Sequence, residues 1–329
     1  MPARPALRDE CPQRDGAGNR PQPVRAGRRP QQGRARAQRE RTVPATVVLA
    51  HDAPGPTLVL PLHRLPPGAL ALGSELEHLR RALAATPYRH LNKIALYGAF
   101  GAHRLDYRFV QSLPGGFDFR AGCGHSLLAC VVAHGGGGGD GVTVRAVTTG
   151  DVVRCEEGED GAYTVEFLRA PDAPGTLLTG RPVDVLDGVP VTLIRYGNPY
   201  VLVDARHLPP AHQKRALLAL RARAARILGY APASPLPKIA AFRETADGGL
   251  TARALTVGGW HPRLALTGAT AFAAAGAIDG TVVPGPVARI ETPGGPVRVS
   301  ATAATVRVHD KRAHVIARLE LPWRIHATA

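Results

Sequence analysis

The sequence predicts an α+β chain built from two similar units, residues 43–182 and 183–329, behind a tail of residues 1–42. Three observations lead there. From Thr42 onward, short apolar stretches punctuated by Gly and Pro alternate with a few helical segments. Two short runs of small and apolar residues, 126–133 and 269–277, lack any polar face and are expected to form buried helices. The two halves also echo one another. Gly124-His-Ser126 opens the first buried run and Gly268-Ala-Thr270 the second, an offset of 144 residues. The same offset relates Thr148-x-Gly150-x-x-Val153-Arg154 to Thr292-x-Gly294-x-x-Val297-Arg298. A helix start and a later turn repeating without a gap point to one supersecondary unit used twice.

The elements follow in order. Residues 43–50 and 57–61 read as strands around a turn at 52–56. Residues 75–85 form a helix, with Leu76, Leu79 and Leu83 at helical spacing and Ser74 placed to cap it. Strands are expected at 93–97 and 105–110, then the buried helix at 126–133. The glycine run at 135–139 lacks a following Lys-Ser or Lys-Thr, so it reads as a spacer rather than a phosphate loop. Strands resume at 142–147, 152–155 and 163–167. In the second unit, strands at 191–196 and 200–203 precede a helix at 210–228 rich in Ala, Leu and Arg. A strand at 239–242, the buried helix at 269–277 and strands at 287–290 and 297–301 complete the series.

Composition narrows the class. With 329 residues, 44% of them hydrophobic, the chain can bury a substantial core, and aromatics at 5% leave the packing to Ala, Val and Leu. No run of about 18 apolar residues exists and the N-terminus has no signal-type apolar segment, so a cytoplasmic protein without membrane contact is expected. Cys11, Cys123, Cys130 and Cys155 form no CxxC pair and have no His at finger spacing, which argues against structural zinc. The net charge is +15, and residues 1–42 hold eleven Arg against four acidic residues. That tail has almost no apolar content and is expected to be disordered. It could serve as an arm for nucleic acid, but no aromatic is interleaved with its arginines for base stacking. An extension without that role is the reading adopted, and nucleic acid is not expected as a partner.

Few residues stand out for chemistry. Cys123, in Ala121-Gly-Cys-Gly-His-Ser126, is flanked by Gly122 and Gly124 at the start of a buried helix. A thiol there has its thiolate favoured, and the flanking glycines leave it accessible; the bland alternative is a small residue fitted into a tight turn. Lys93 stands at the entrance to an apolar strand, where desolvation can turn a lysine into a base, although such a lysine more often snorkels to water. His261, shortly before the second helix, could bond a substrate carboxylate or cap a turn. His51-Asp52 reads as an exposed turn pair, and Asn198-Pro199 as a turn between strands. The N-termini of the two buried helices, with Gly124 and Gly268 permitting close approach, suit a carboxylate.

Several of these segments resemble the PrpF family of methylaconitate and methylitaconate isomerases, which share the diaminopimelate epimerase fold. They are Val43-Pro-Ala-Thr46, Leu105-Asp-Tyr-x-Phe-x-Gln111 followed by Gly122-Cys-Gly124, and Pro237-Lys-Ile-Ala240. Ala254-Leu255, His261, Thr267-Gly268 and Ala277-Ile-x-Gly-Thr281 complete the series. The resemblance implies two pseudo-symmetric domains, each a β-sheet barrel around a central short helix. It implies no metal and no organic cofactor, and a proton shift in a small unsaturated carboxylate that migrates or isomerises its double bond. The family's catalytic lysine falls on Lys93 and its catalytic cysteine on Cys123. Gly122, Gly124, His125, His261, Thr267 and Gly268 would bind the substrate.

The chain departs from the family at its Arg-Gly-Gly-Thr-Ser-Lys-Gly signature, which aligns with Leu49-Ala-His-Asp-Ala-Pro-Gly55 and keeps only the last glycine. Gly122 and His125 replace the two asparagines around the cysteine. By the internal offset Cys123 corresponds to Thr267, so two facing thiols are absent, which argues against a two-cysteine amino-acid epimerase. A cofactor-independent isomerase is the expected function. The alternative is a relative without catalysis that binds a small molecule or partners an enzyme, and a homodimer stays open.

Overall fold

The computed structural model describes residues 42–62, 68–136, 138–231, 234–256 and 259–323, all within one compact unit, Glu40–Ala329. Of the basic tail only Thr42 is among them, as the first residue of a strand.

The first stretch runs β1 (Thr42–Ala50), β2 (Thr57–Leu62), α1 (Gly68–Ala84), β3 (Lys93–Ala99), β4 (Arg104–Leu113), β5 (Gly116–Asp118), α2 (Gly124–His134), β6 (Val142–Ala146), β7 (Val152–Glu157) and β8 (Tyr163–Phe167). β2 lies antiparallel to β1 and parallel to β3; β4 lies antiparallel to β3 and parallel to β6. After β9 (Asp184–Leu186) come β10 (Val189–Tyr196), β11 (Asn198–Asp204), α3 (Gln213–Ile227), β12 (Lys238–Glu244), β13 (Leu250–Thr256) and β14 (Gly259–Trp260). α4 (Leu266–Gly276), β15 (Arg289–Glu291), β16 (Val297–Ala301), β17 (Val306–Lys311) and β18 (Ala313–Pro322) follow. Here β11 is parallel to β12 and β13 parallel to β15. The last strands return to the first sheet, where β17 pairs with β8 and β18 with β1.

Each helix lies where its apolar pattern sends it. α1 presents Leu72, Leu76, Leu79 and Leu83 on one face, all buried against β1, β2 and β3. That stripe reaches back before the expected start, so Ser74 sits inside α1 rather than capping it. α3 covers the other sheet with Leu217, Leu220 and Ala224, after a single 3-10 turn at Pro210–His212. α2 and α4 have no polar face, and the fold uses them as cores. All eleven residues of α4 are buried, against β10, β11, β16 and β17. α2 is enclosed by strands that include β1, β2, β3, β4 and β18. Leu127 and Leu128 of α2 and Phe272 of α4 share one apolar cluster. No helix among the described residues is long and apolar enough to cross a membrane.

The starts of α2 and α4 meet. A Cβ on Gly124 would stand 2.6 Å from Cδ2 of Leu266, so glycine is what lets the two helices touch. Asn198, at the first residue of β11 and with no exposed surface, ties them together. Its Oδ1 accepts from the Gly122 amide at 2.7 Å, while Nδ2 donates to the Gly122 carbonyl at 2.8 Å and to Thr267 Oγ1 at 3.2 Å. The expected turn at Asn198-Pro199 is thus strand, and its amide is a cross-link. Replacing Asn198 by Leu removes three bonds and strands buried polar groups of Gly122. Stability in denaturant titration is expected to fall by roughly 2–4 kcal/mol; an unchanged midpoint would show that Asn198 does not tie the helices.

Candidate functional site

The site lies where the entrances of two strands face the starts of two helices. Cys123 is the residue before α2, in extended conformation at φ −141° and ψ 108°. Its carbonyl accepts from the Leu127 amide and from the Tyr107 hydroxyl, both at 2.9 Å. The backbone is therefore held on both sides, and the thiol stays partly exposed and free of a disulfide. Cys130 and Cys155, by contrast, are buried, and burial raises both thiols above their ordinary range. They are packing residues. Cys11 lies outside the described residues.

Lys93 opens β3 with 6% of its surface exposed. Its Nζ donates to the Gly55 carbonyl at 3.0 Å, in the β1–β2 turn. Desolvation lowers its pKa; a Cys123 thiolate nearby acts the other way, and the Lys238 ammonium lowers it further. Cys123, 30 residues from Lys93 in sequence, is thus close enough for its thiolate to act on the charge of Lys93.

His125, in the first turn of α2, is 3% exposed, and burial pushes its pKa down to about 3, helped by the positive charge of Lys93 and Lys311. The ring is neutral near pH 7. His261 follows β14; the Arg263 amide donates to its Nδ1 at 3.1 Å, and the ring also touches the Arg263 carbonyl. Burial lowers its pKa, with Lys238 and Lys93 adding to the effect. The fold therefore brings His261 into the field of both lysines, while its Nδ1 serves the local turn.

Gly122 and Gly124 flank the thiol, and Thr267 stands across from them, buried and bonded to Asn198. The Gly268 amide already donates to the Ala265 carbonyl at 2.7 Å, so the N–H groups at the start of α4 without an intrahelical acceptor are those of Leu266 and Thr267. A small cavity bounded by Tyr107, Cys123, Leu127, Thr149, Phe167 and Thr267 adjoins the thiol.

Sequence reasoning passed over two groups. Lys238 opens β12; a Cys123 thiolate would act on it, and its ammonium acts on Lys93. Desolvation lowers its pKa as well. The clue was the position itself, a lysine directly before an apolar strand, as at Lys93. Asp52 is no exposed turn residue. It accepts from Lys311 Nζ at 2.6 Å and from Arg263 Nη1 at 3.1 Å. Burial works against its charge, but Lys311 outweighs that and holds the carboxyl below the usual range. Lys311 is 259 residues away, so no local pattern could show this pair.

No protein-family model matches the chain, and neither does any curated protein. Solved structures do. A methylitaconate-delta-isomerase superposes with a TM-score of 0.59 at 20% identity, over 85% of this chain and 96% of that one. A hydroxyproline epimerase from Agrobacterium vitis, with bound trans-4-hydroxy-L-proline, gives 0.55 at 16% identity, over 86% and 93%. A probable proline racemase from Agrobacterium radiobacter K84, with bound carbonate, gives 0.55 at 16% identity, over 87% and 94%. The chain has the fold these proteins share.

Proposed function

We propose that this protein is a PrpF-type isomerase without cofactor, which moves a proton between two carbons of a small unsaturated carboxylate. The observation that carries the reading is the pairing of a desolvated Lys93 with an accessible Cys123 at the start of a buried helix. The fold shared with a methylitaconate-delta-isomerase over most of both chains supports the reaction class.

The chemistry follows from the placement. Lys93 in its neutral form takes a proton from the carbon next to the double bond, breaking C–H and forming N–H. The C–H electron pair becomes the new double bond, and the former double-bond pair leaves a dienolate charge on the carboxylate. Free amides in the first turn of α2 stabilise that charge. The Cys123 thiol delivers a proton to the far carbon, and the thiolate recovers one from the Lys93 ammonium, restoring both groups. The Gly55 carbonyl aims the amine.

We also infer that one unit is used twice, with a boundary near residue 182. The recurring order of helices and strands, with parallel pairs β2–β3 and β4–β6 in one run and β11–β12 and β13–β15 in the other, supports this. We place the protein in the cytoplasm, where the Cys123 thiol stays reduced.

In heavy water, wild type is expected to exchange deuterium into, or isomerise, at least one member of a panel of unsaturated carboxylates followed by NMR. Lys93→Ala and Cys123→Ser are expected to lose at least about a hundredfold in rate, the scale of a positioned acid or base. Silence of the folded wild type across the panel would leave the binder without catalysis as the better reading. The pH profile has a definite sign. Lys93 must be deprotonated, so kcat/KM is expected to rise with pH through an apparent pKa below 10.5, the value of an ordinary lysine. A rise centred at or above that value would remove Lys93 as the base.

A further inference from the structure

Lys238 has no part in the reaction as written, yet it occupies the equivalent place in the second run of strands. Lys93 is the first residue of β3, which runs parallel to β2; Lys238 is the first residue of β12, which runs parallel to β11. The register pairs Lys238 with Tyr200, and paired residues of a parallel ladder project to one face of the sheet. Tyr200 points its hydroxyl at the start of α4, where it would lie 2.9 Å from a Cβ on Gly268. Lys238 therefore sits on the side of the sheet that faces the two helix starts.

The charges around it do not balance. The other positive group in its field is Lys93, and the nearby acidic group is the Cys123 thiol, while His261 beside them is held toward its neutral form. Asp52, the carboxylate of this region, is occupied by Lys311 and Arg263. Among the described residues Lys238 forms no ion pair, and the buried Tyr200 hydroxyl, with Thr267 close by, makes no hydrogen bond of normal geometry. A half-buried ammonium without an ion pair, on the sheet face that also carries a buried hydroxyl, is a place that an anion would complete. The helix starts at Gly124 and Leu266 add partial positive charge of the same sense.

We propose that Lys238 is the anchor for a substrate carboxylate, with the Tyr200 hydroxyl donating to the same group. This rests on the isomerase reading. It divides the labour between two equivalent lysines: Lys93, lowered further by the charge of Lys238, removes the proton, and Lys238 holds the acid end. The substrate then lies across the site, its carboxylate toward β12 and its reacting carbon toward β3. An ammonium left charged near the thiol also favours the dienolate over the starting acid.

Binding tests this separately from turnover. Calorimetric titration of the full chain with butyrate, glutarate and, as uncharged control, butyramide reads the anchor directly. Wild type is expected to bind at least one of the two acids and to bind butyramide far more weakly. Lys238→Met is expected to weaken acid binding by about 10–100-fold, the range of a charge-assisted bond, while Lys238→Arg stays within about threefold. Lys93→Ala is expected to lose deuterium exchange and keep acid binding. Circular dichroism and a melting curve for Lys238→Met establish that it folds, and Tyr200→Phe, with a smaller loss, reads the same site without removing charge. Equal binding of the acids by wild type and folded Lys238→Met, or no binding of either acid by wild type, would overturn the anchor. Binding that depends on Lys238 without exchange into any unsaturated acid would sink the isomerase reading and leave the anchor standing.

Discussion

The geometry of the site hangs on the side chain of one buried asparagine. Asn198 uses its oxygen and its nitrogen on Gly122 and reaches Thr267 with the remaining donor, so the starts of α2 and α4 cannot separate without breaking either its bond to Thr267 or both of its bonds to Gly122. Glycines surround it for a physical reason. A side chain at Gly124 would collide with Leu266, and one at Gly197 would come within 2.7 Å of Thr267 Cγ2. Gly197 also has φ +80°, a backbone region that side chains rarely adopt. Gly124, next to Cys123, thus serves helix contact.

With the helix starts fixed, electrostatics gives the site its character. Two strand-entrance lysines converge on one thiol, and each is partly desolvated. Ammonium groups that close resist being charged together, which favours one neutral amine and one ammonium. His125 is kept neutral by burial, so it adds no further positive charge at neutral pH. The Asp52–Lys311 pair draws the β1–β2 turn to β17, holding in place the segment that supplies Gly55 to Lys93. The turn that supplies Gly55 is therefore organised by bonds to residues far along the chain.

How the fold survives at 20% identity is visible in the same features. Two short helices without a polar face must be enclosed, and the strands are the available enclosure. Leu, Val and Ala can exchange at such positions at modest cost while volume and pattern hold. The chain's last strands complete the first sheet, and this pairing spans the whole length of the described residues.

Much of the local structure was legible in the sequence. The apolar runs of α2 and α4 and most strand positions follow from periodicity, and the glycines around Cys123 and the strand-entrance place of Lys93 were visible in the sequence, while the burial of Lys93 was not. Strands 306–311 and 313–322 were readable but passed over; β18 alternates along most of its length, as an edge strand should. Other features required tertiary structure, because they join residues far apart in sequence. Asn198 looked like a turn residue until Gly122 and Thr267 closed around it. Asp52 looked exposed until Lys311 reached it. Lys238 was passed over until the fold brought it into the field of Cys123 and Lys93. Sequence determines which residues seek burial and which backbones can approach closely; only the folded chain decides which charges end up sharing a site, since that depends on distance in space.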